Sequence, residues 1–285
     1  MNRRDFIHNG LLATGLICFG LPRTQLIAEA SPPLGSGMKL VLQTYTFRNF
    51  NLDEAIQKTR LAGVGYVEIA GGTRINGEGV RSSNMSSDQK KWLRDIMAEN
   101  NVRALGLGGC GGSTQEFDFA QEMGLQYLQG EPPFEKLIEV SKRAEEYKIR
   151  FTVHNHANPN KYWNYKETLK RLDGCTSWIG LCPDTGHQMR SAIDPLVAIK
   201  DLKGRIYNIH LKDLNGINEE GKPKQNLHDV PWGTGAGKIE AILTELKAQN
   251  YAGTVVIEFE YKPNDNLAEV TECVKFFRKV IGKDQ

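Results

Sequence analysis

The stretch that decides the fold runs from Ser177 to Asp213. It holds two short apolar segments with polar ends, SWIGLCPDTGH (177–187) and RIYNIHLKD (205–213), separated by DPLVAIKDLKG (194–204), whose apolar residues recur at helical spacing. Parallel strands covered by helices on one side and by other strands on the other read as such near-continuous apolar runs. Strand, helix and strand in that order form one βαβ unit.

Outward from this unit the pattern repeats. The remaining strand candidates are KLVLQTYTF (39–47), GYVEIAG (65–71), VRALGLGG (102–109), LQYLQGE (125–131), IRFTVHNH (149–156) and TVVIEFEY (254–261), which brings the number to eight. Between them lie amphipathic helices such as LDEAIQKTRLAG (52–63), FEKLIEVSKRAEEY (134–147), NYKETLKRLDG (164–174) and KIEAILTELKAQN (238–250). Gly63 and Gly174 close two of them and suit a left-handed C-terminal cap. The segment around Glu116 to Met123 reads as a short third helix, and the loops after strands two and seven are long. Eight strand–helix units predict a single-domain (β/α)₈ TIM barrel over residues 38–285, whose function lies at the C-terminal ends of the strands.

The first thirty residues read as a targeting segment. MNRRDF carries the pair Arg3 and Arg4, the apolar run LLATGLICFGL (11–21) follows, and Ala28-Glu29-Ala30 has the small residues of a cleavage site. The apolar run is too short for a bilayer span, which needs roughly 20 residues. The expectation is a twin-arginine-type signal cut after Ala30, a linker over 31–37, and export to the periplasm. Cleavage removes three basic and two acidic residues, taking the formal net charge from +2 to +1. That charge gives no electrostatic case for nucleic acid. Cys110, Cys175, Cys182 and Cys273 form no CxxC pair and are expected to be small buried hydrophobes.

The chemistry gathers at the strand ends. Strand four ends in Glu131, strand five in His154-Asn155-His156, strand six in Asp184 followed by His187, strand seven in His210 and Lys212, strand eight in Glu258 and Glu260. Residues two apart on a strand share a face, so His154 with His156, His210 with Lys212, and Glu258 with Glu260 can point inward together. By itself Glu260 reads as facing a helix or solvent. So many carboxylates and imidazoles at one rim call for a compensating cation, and mixed oxygen and nitrogen ligands suit one divalent ion such as Mn²⁺, Zn²⁺, Co²⁺, Fe²⁺ or Mg²⁺. Gln43, Tyr45 and Arg48 after strand one, Glu68 in strand two, and Arg190 beyond strand six are further polar residues near the mouth. Trp163 and Trp232 read equally as sugar platforms or as packing. His228 reads as a loop residue. DVPWGTGAG (229–237) lacks the GK[ST] ending of a phosphate loop.

At these residues the chain resembles the xylose isomerase-like TIM-barrel superfamily, often labelled sugar phosphate isomerase/epimerase. VHNHANP (153–159), IGLCPDTGHQMRSAIDP (179–195), IYNIHLKDL (206–214), DVPWGTGAGKIEAILTEL (229–246) and VVIEFEY (255–261) carry the resemblance. It implies that Asp184, His210 and Glu258 hold the metal and that His187 contacts substrate. The glutamate such epimerases carry on strand five is replaced by His154. Glu131 and His154 compete for the fourth metal position, with Glu131 preferred. The resemblance further implies an isomerase or epimerase of a sugar or keto-sugar that removes the proton next to a carbonyl through a metal-bound enediolate. His154, His156, Lys212 and Glu258 are the candidate catalytic groups; His187, Arg190, Gln43 and Glu68 are the candidates to bind a small carbohydrate. The same enolate could instead expel a β-oxygen substituent, as in a lyase or dehydratase of a keto-sugar or 3-keto-glycoside. A non-catalytic sugar-binding barrel is the rival reading. A trinuclear endonuclease is disfavoured, because no histidine lies between His8 and His154. Export favours neutral or oxidised sugars over sugar phosphates. The sequence sets no limit on oligomeric state.

Overall fold

A computed structural model describes residues 37–216, 226–261 and 265–282. The expected signal over 1–30 and all of the linker except Gly37 lie outside the described residues. Among the described residues no helix is long and apolar enough to cross a membrane.

Eight parallel strands form the barrel: β1 (Lys39–Gln43), β2 (Tyr66–Ile69), β3 (Arg103–Cys110), β4 (Tyr127–Gly130), β5 (Arg150–His154), β6 (Ile179–Cys182), β7 (Asn208–Leu211) and β8 (Thr254–Ile257). They pair in the order β6-β5-β4-β3-β2-β1-β8-β7. The seam between β6 and β7 is closed by isolated parallel bridges, Leu181 with Ile206 and Asp184 with His210. The expected barrel is therefore present, and strands β5 to β8 end where the sequence places its histidines and carboxylates.

Two cores lie on opposite sides of the sheet. Leu42, Val67, Leu107, Phe151, Ile209 and Ile257 belong to the large cluster between sheet and helices. Val41, Leu105, Tyr127 and Val256 make a small cluster inside the barrel; on β1 and β8 its members lie one residue out of phase with the first set, and on β3 the register shifts between Ala104 and Gly106, so Leu105 and Leu107 fall in different clusters. Above that apolar layer the inward column turns polar, through Gln43, Glu68, Gln129 and Asn208, all buried. Gly108 is needed there, since a Cβ would lie 2.9 Å from Glu68 Oε1 and 3.0 Å from Gln43 Nε2.

Gly63 and Gly174 have positive φ, as the cap reading expects. The third helix is longer than its reading, Thr114–Met123, because Ser113 and Glu116 form a capping box that starts it earlier. The long loops after β2 and β7 each carry a small antiparallel pair, Gly72–Ile75 with Glu78–Arg81 and Asp213–Leu214 with Asp229–Val230. All four cysteines outside the expected signal are free, three of them buried.

Candidate metal centre

Asp184 follows β6 and caps the helix Thr185–Arg190, its Oδ1 accepting the His187 N–H at 2.8 Å. Asn155, the middle residue of His-Asn-His, accepts the Asp184 N–H at 2.8 Å and so ties the end of β5 to that of β6. Thr185 Oγ1 accepts the Lys212 N–H at 2.8 Å and donates to the Lys212 carbonyl at 2.9 Å, fixing β6 against β7. These clamps leave Asp184 Oδ2 free of any cap duty.

His154, Asp184, His210 and Glu258 are all buried, and one ligand atom from each lies within 4.8 Å of the others. His154 Nε2 and Asp184 Oδ2 are buried 3.5 Å apart; His154 Nε2 has no hydrogen bond, and Asp184 Oδ2 has none but the ion pair with the Lys212 ammonium at 3.2 Å. Unsatisfied polar atoms at that depth are rare and costly. Two nitrogens and two carboxylates are a donor set that suits a divalent transition ion, so these residues fit the expected cation.

Each histidine is backed by a carboxylate. His210 faces Glu258 through Nδ1 and the fully buried Glu68 through Nε2, both at 3.1 Å. His154 faces Asp184 through Nε2 and Glu131 through Nδ1, the latter at 3.8 Å. A carboxylate behind a ligating imidazole fixes its tautomer and raises its basicity. Burial lowers the His210 pKa, but Cys182 and Glu68 beside it outweigh burial and hold it well above the usual value. Burial likewise opposes ionisation of Asp184, yet Lys212 and His187 bring its carboxyl well down.

Glu131 also receives the Nδ1 side of His156, whose other nitrogen lies on a side chain that is 52% exposed toward the mouth. Burial raises the Glu131 pKa, whereas hydrogen bonds from His154 and His156 bring it to about 2. His187 lies against both, with ring centroids 4.7 Å from His156 and 5.9 Å from His154. Burial, reinforced by Lys212 against the pull of Asp184, pushes His187 down to about 3 and keeps it neutral. Lys212 is buried, its Nζ 2.8 Å from Glu258 and Glu260 and 3.2 Å from Asp184. Those carboxylates overcome burial and raise its pKa well above the ordinary value.

Several sequence expectations shift. The fourth member of the buried group is His154; Glu131 stands behind it and pairs with His156. Glu68 and Gln43 do not reach the mouth: Glu68 is fully buried and accepts from Gln43 Nε2 at 2.6 Å and Asn208 Nδ2 at 2.9 Å. Glu260 faces inward to Lys212. Trp232 is core, its indole N–H donating to the Leu211 carbonyl at 3.3 Å. Trp163 lines a separate cleft with Ile193 and Val197. His228 stacks on Tyr261 with centroids 3.9 Å apart. Arg190 approaches Asp229 at 3.8 Å.

Sequence reading passed over Asn155, Asp213 and Asp229. Asp213 accepts N–H groups from Gly233, Gly235 and Gly237 and so gathers the glycine loop around its carboxylate. The alternate glycines of DVPWGTGAG were a usable signal for such a nest. Asp229 carried none: its Oδ2 accepts the Glu260 N–H at 2.6 Å, and burial raises its pKa to about 6 against the pull of Lys212.

Residues 56–280 match the xylose isomerase-like TIM barrel family. An inosose dehydratase of Mesomycoplasma hyopneumoniae is 33% identical over 161 residues, 51% of this chain and 53% of that protein, so the match spans about half the length of this curated relative. An uncharacterised protein of Parabacteroides distasonis superposes with a TM-score of 0.65 and 26% identity over 85% of this chain and 98% of its own. The IolI protein, solved with a bound zinc atom, superposes with a TM-score of 0.67 at 17% identity, over 86% and 99% of the two chains.

Proposed function

The chain belongs to the xylose isomerase-like TIM barrel family, and from that premise we propose a divalent-metal-dependent enzyme that removes the proton next to the carbonyl of a keto-sugar or keto-cyclitol. The observation that carries the reading is the pairing of a buried His154–Asp184–His210–Glu258 group with a Glu131–His156 dyad at its open side. When bound, the divalent ion acts as a Lewis acid that polarises the carbonyl and lowers the barrier by several kcal/mol.

His156 is the base. Glu131 accepts its Nδ1–H, which leaves the Nε2 lone pair directed to the mouth, and the same carboxylate stabilises the imidazolium that forms. His187, neutral because of its burial, offers a hydrogen bond to a substrate oxygen without adding charge. Lys212, held by three carboxylates, stays protonated and supplies positive potential where negative charge develops on the substrate.

Dehydration is the leading outcome. The C–H electron pair becomes the C=C bond, the β C–O bond breaks, and the His156 proton passes to the departing oxygen, which leaves as water. The relatives named inosose dehydratase make an inosose the first substrate to try. Returning that proton to carbon instead gives isomerisation or epimerisation, the second reading. Protein incubated with Mn²⁺ or Zn²⁺ and an inosose in D₂O should yield an enone absorbance or deuterium at the carbon next to the carbonyl. Neither signal with any keto-sugar or keto-cyclitol would leave only a binding barrel. Export with removal of residues 1–30 belongs to the same proposal and is checked by the N-terminal mass of protein recovered from the periplasm.

A further inference from the structure

Beside the metal centre, on the same face of the barrel, the segment after β1 and the hairpin Gly72–Arg81 enclose an open cleft of about 360 Å³ lined by Tyr45, Arg48, Thr73, Arg74 and Arg81 among others. No carboxylate side chain lines it. Arg81 is neutralised by Glu116 at 2.8 Å. The other two guanidinium groups spend their hydrogen bonds on neutral carbonyls, Arg48 on Glu260 at 2.8 Å and Arg74 on Gly77 at 2.7 Å. Among the described residues neither is paired with a carboxylate, and Arg48 Nη1 is buried with no partner. The Tyr45 ring, 40% exposed, lies 5.1 Å from the Arg48 guanidinium and holds its plane in place.

The cleft joins the metal centre through a short relay. Arg48 holds the Glu260 carbonyl, and the Glu260 carboxylate and Glu258 both hold the Lys212 ammonium at 2.8 Å. Glu260 therefore links Arg48 to the Lys212–Glu258 pair in one chain of contacts. A guanidinium with no carboxylate partner keeps N–H groups for an oxyanion, and such a charge-assisted contact is stronger than a neutral one.

We infer that this cleft is a substrate subsite for an oxyanion, a carboxylate or a sulfate or phosphate ester, carried at the end of the sugar remote from the reacting carbons. The inference rests on the proposed sugar chemistry for the identity of the ring but not for the anion. Binding is measured apart from turnover, so failure of the deuterium experiment leaves this test intact.

The experiment is a calorimetric titration of the Mn²⁺-loaded full chain with D-glucose, D-glucuronate, glucose 6-sulfate and glucose 6-phosphate. At low salt at least one anionic probe should bind about tenfold more tightly than D-glucose, a difference of 1.4 kcal/mol, and the tightest probe identifies the anion. The preference should shrink in molar salt, where charges at an open surface are screened. Arg74→Glu, an exposed change that should leave the melting temperature at the wild-type value, should abolish the preference while leaving D-glucose binding unchanged; Arg48→Gln should weaken it. Equal affinity for neutral and anionic probes, a preference that survives both substitutions, or no binding of any probe at millimolar concentration would overturn the inference.

Discussion

Glu68→Gln tests whether the carboxylate beneath His210 serves the metal centre. Glu68 is fully buried and accepts three hydrogen bonds, from Gln43 Nε2 at 2.6 Å, Asn208 Nδ2 at 2.9 Å and His210 Nε2 at 3.1 Å. Glutamine fills the same volume, so no cavity opens. Its amide offers one oxygen where three donors converge, and its own N–H₂ must face at least one of them. The His210 N–H then loses a charged acceptor, and Nδ1 becomes a poorer ligand. Losing the partner behind a ligating histidine reduces metal affinity about 10- to 100-fold, which is about 1.4 to 2.7 kcal/mol.

The assay is competition for Mn²⁺ or Zn²⁺ against a chromogenic chelator, with urea unfolding of the metal-free protein alongside. Metal-free stability should fall by about 1–3 kcal/mol, the range for a buried polar group left without its partner, and the metal should add less stability to the variant than to the wild type. Wild-type metal affinity together with lowered stability would refute the reasoning and reduce Glu68 to a structural group. Asp184→Ala provides the scale, since removing an inner ligand should abolish stoichiometric binding.

Three more expectations follow from the same geometry. His156→Gln should retain metal while turnover falls by about 10²–10⁴, the usual worth of a positioned base; equal turnover would move the proton to another group. Asp229, whose folded pKa of about 6 lies above its unfolded value, contributes stability that is complete below the unfolded pKa and lost as pH rises through 6, a loss of about 3 kcal/mol. Asp229→Asn should accordingly gain stability relative to wild type between pH 4 and pH 7 in urea melts, and a constant difference across that range would contradict the burial argument. Gly130→Ala should give little soluble protein, because a Cβ there would lie 1.9 Å from the Cys110 carbonyl oxygen on the neighbouring strand; normal expression would mean that β3 and β4 can part locally.

How much of this was legible in sequence depended on whether face or depth was asked. Alternation assigns His154, His210, Lys212 and Glu258 to the inward face, and the structure agrees. It does not assign height along the barrel axis, because tilted strands are staggered and equal places in two strands lie at different levels. Glu68 stands one residue before the end of β2, and yet it lies beneath His210. Glu131 and His154 end adjacent strands with the same inward phase, and only their spacing to Asp184 separates inner group from support. Trp232 is open to two readings because the alternate glycines signal a nest around a carboxylate without saying where the indole beside them packs.

The placement of the buried group also bears on how the barrel closes. Every neighbouring pair of strands from β6 back through β1 to β7 is joined by a ladder, with register shifts on both sides of β3, while β6 and β7 meet only through isolated bridges. Asp184 and His210 form one of those bridges, and His210 N–H donates to the Pro183 carbonyl at 3.0 Å. Of the four members of the group, His154 and Asp184 come from the β5–β6 edge, His210 and Glu258 from the β7–β8 edge. A cation shared among them would tie the two edges across the weakest junction of the sheet, so its binding free energy would be partly a free energy of closure. Lys212 spans the same seam, reaching Asp184 from one side and Glu258 from the other. The residues that could activate a substrate are therefore those that hold the seam, which accounts for a buried charge density that packing alone would not select.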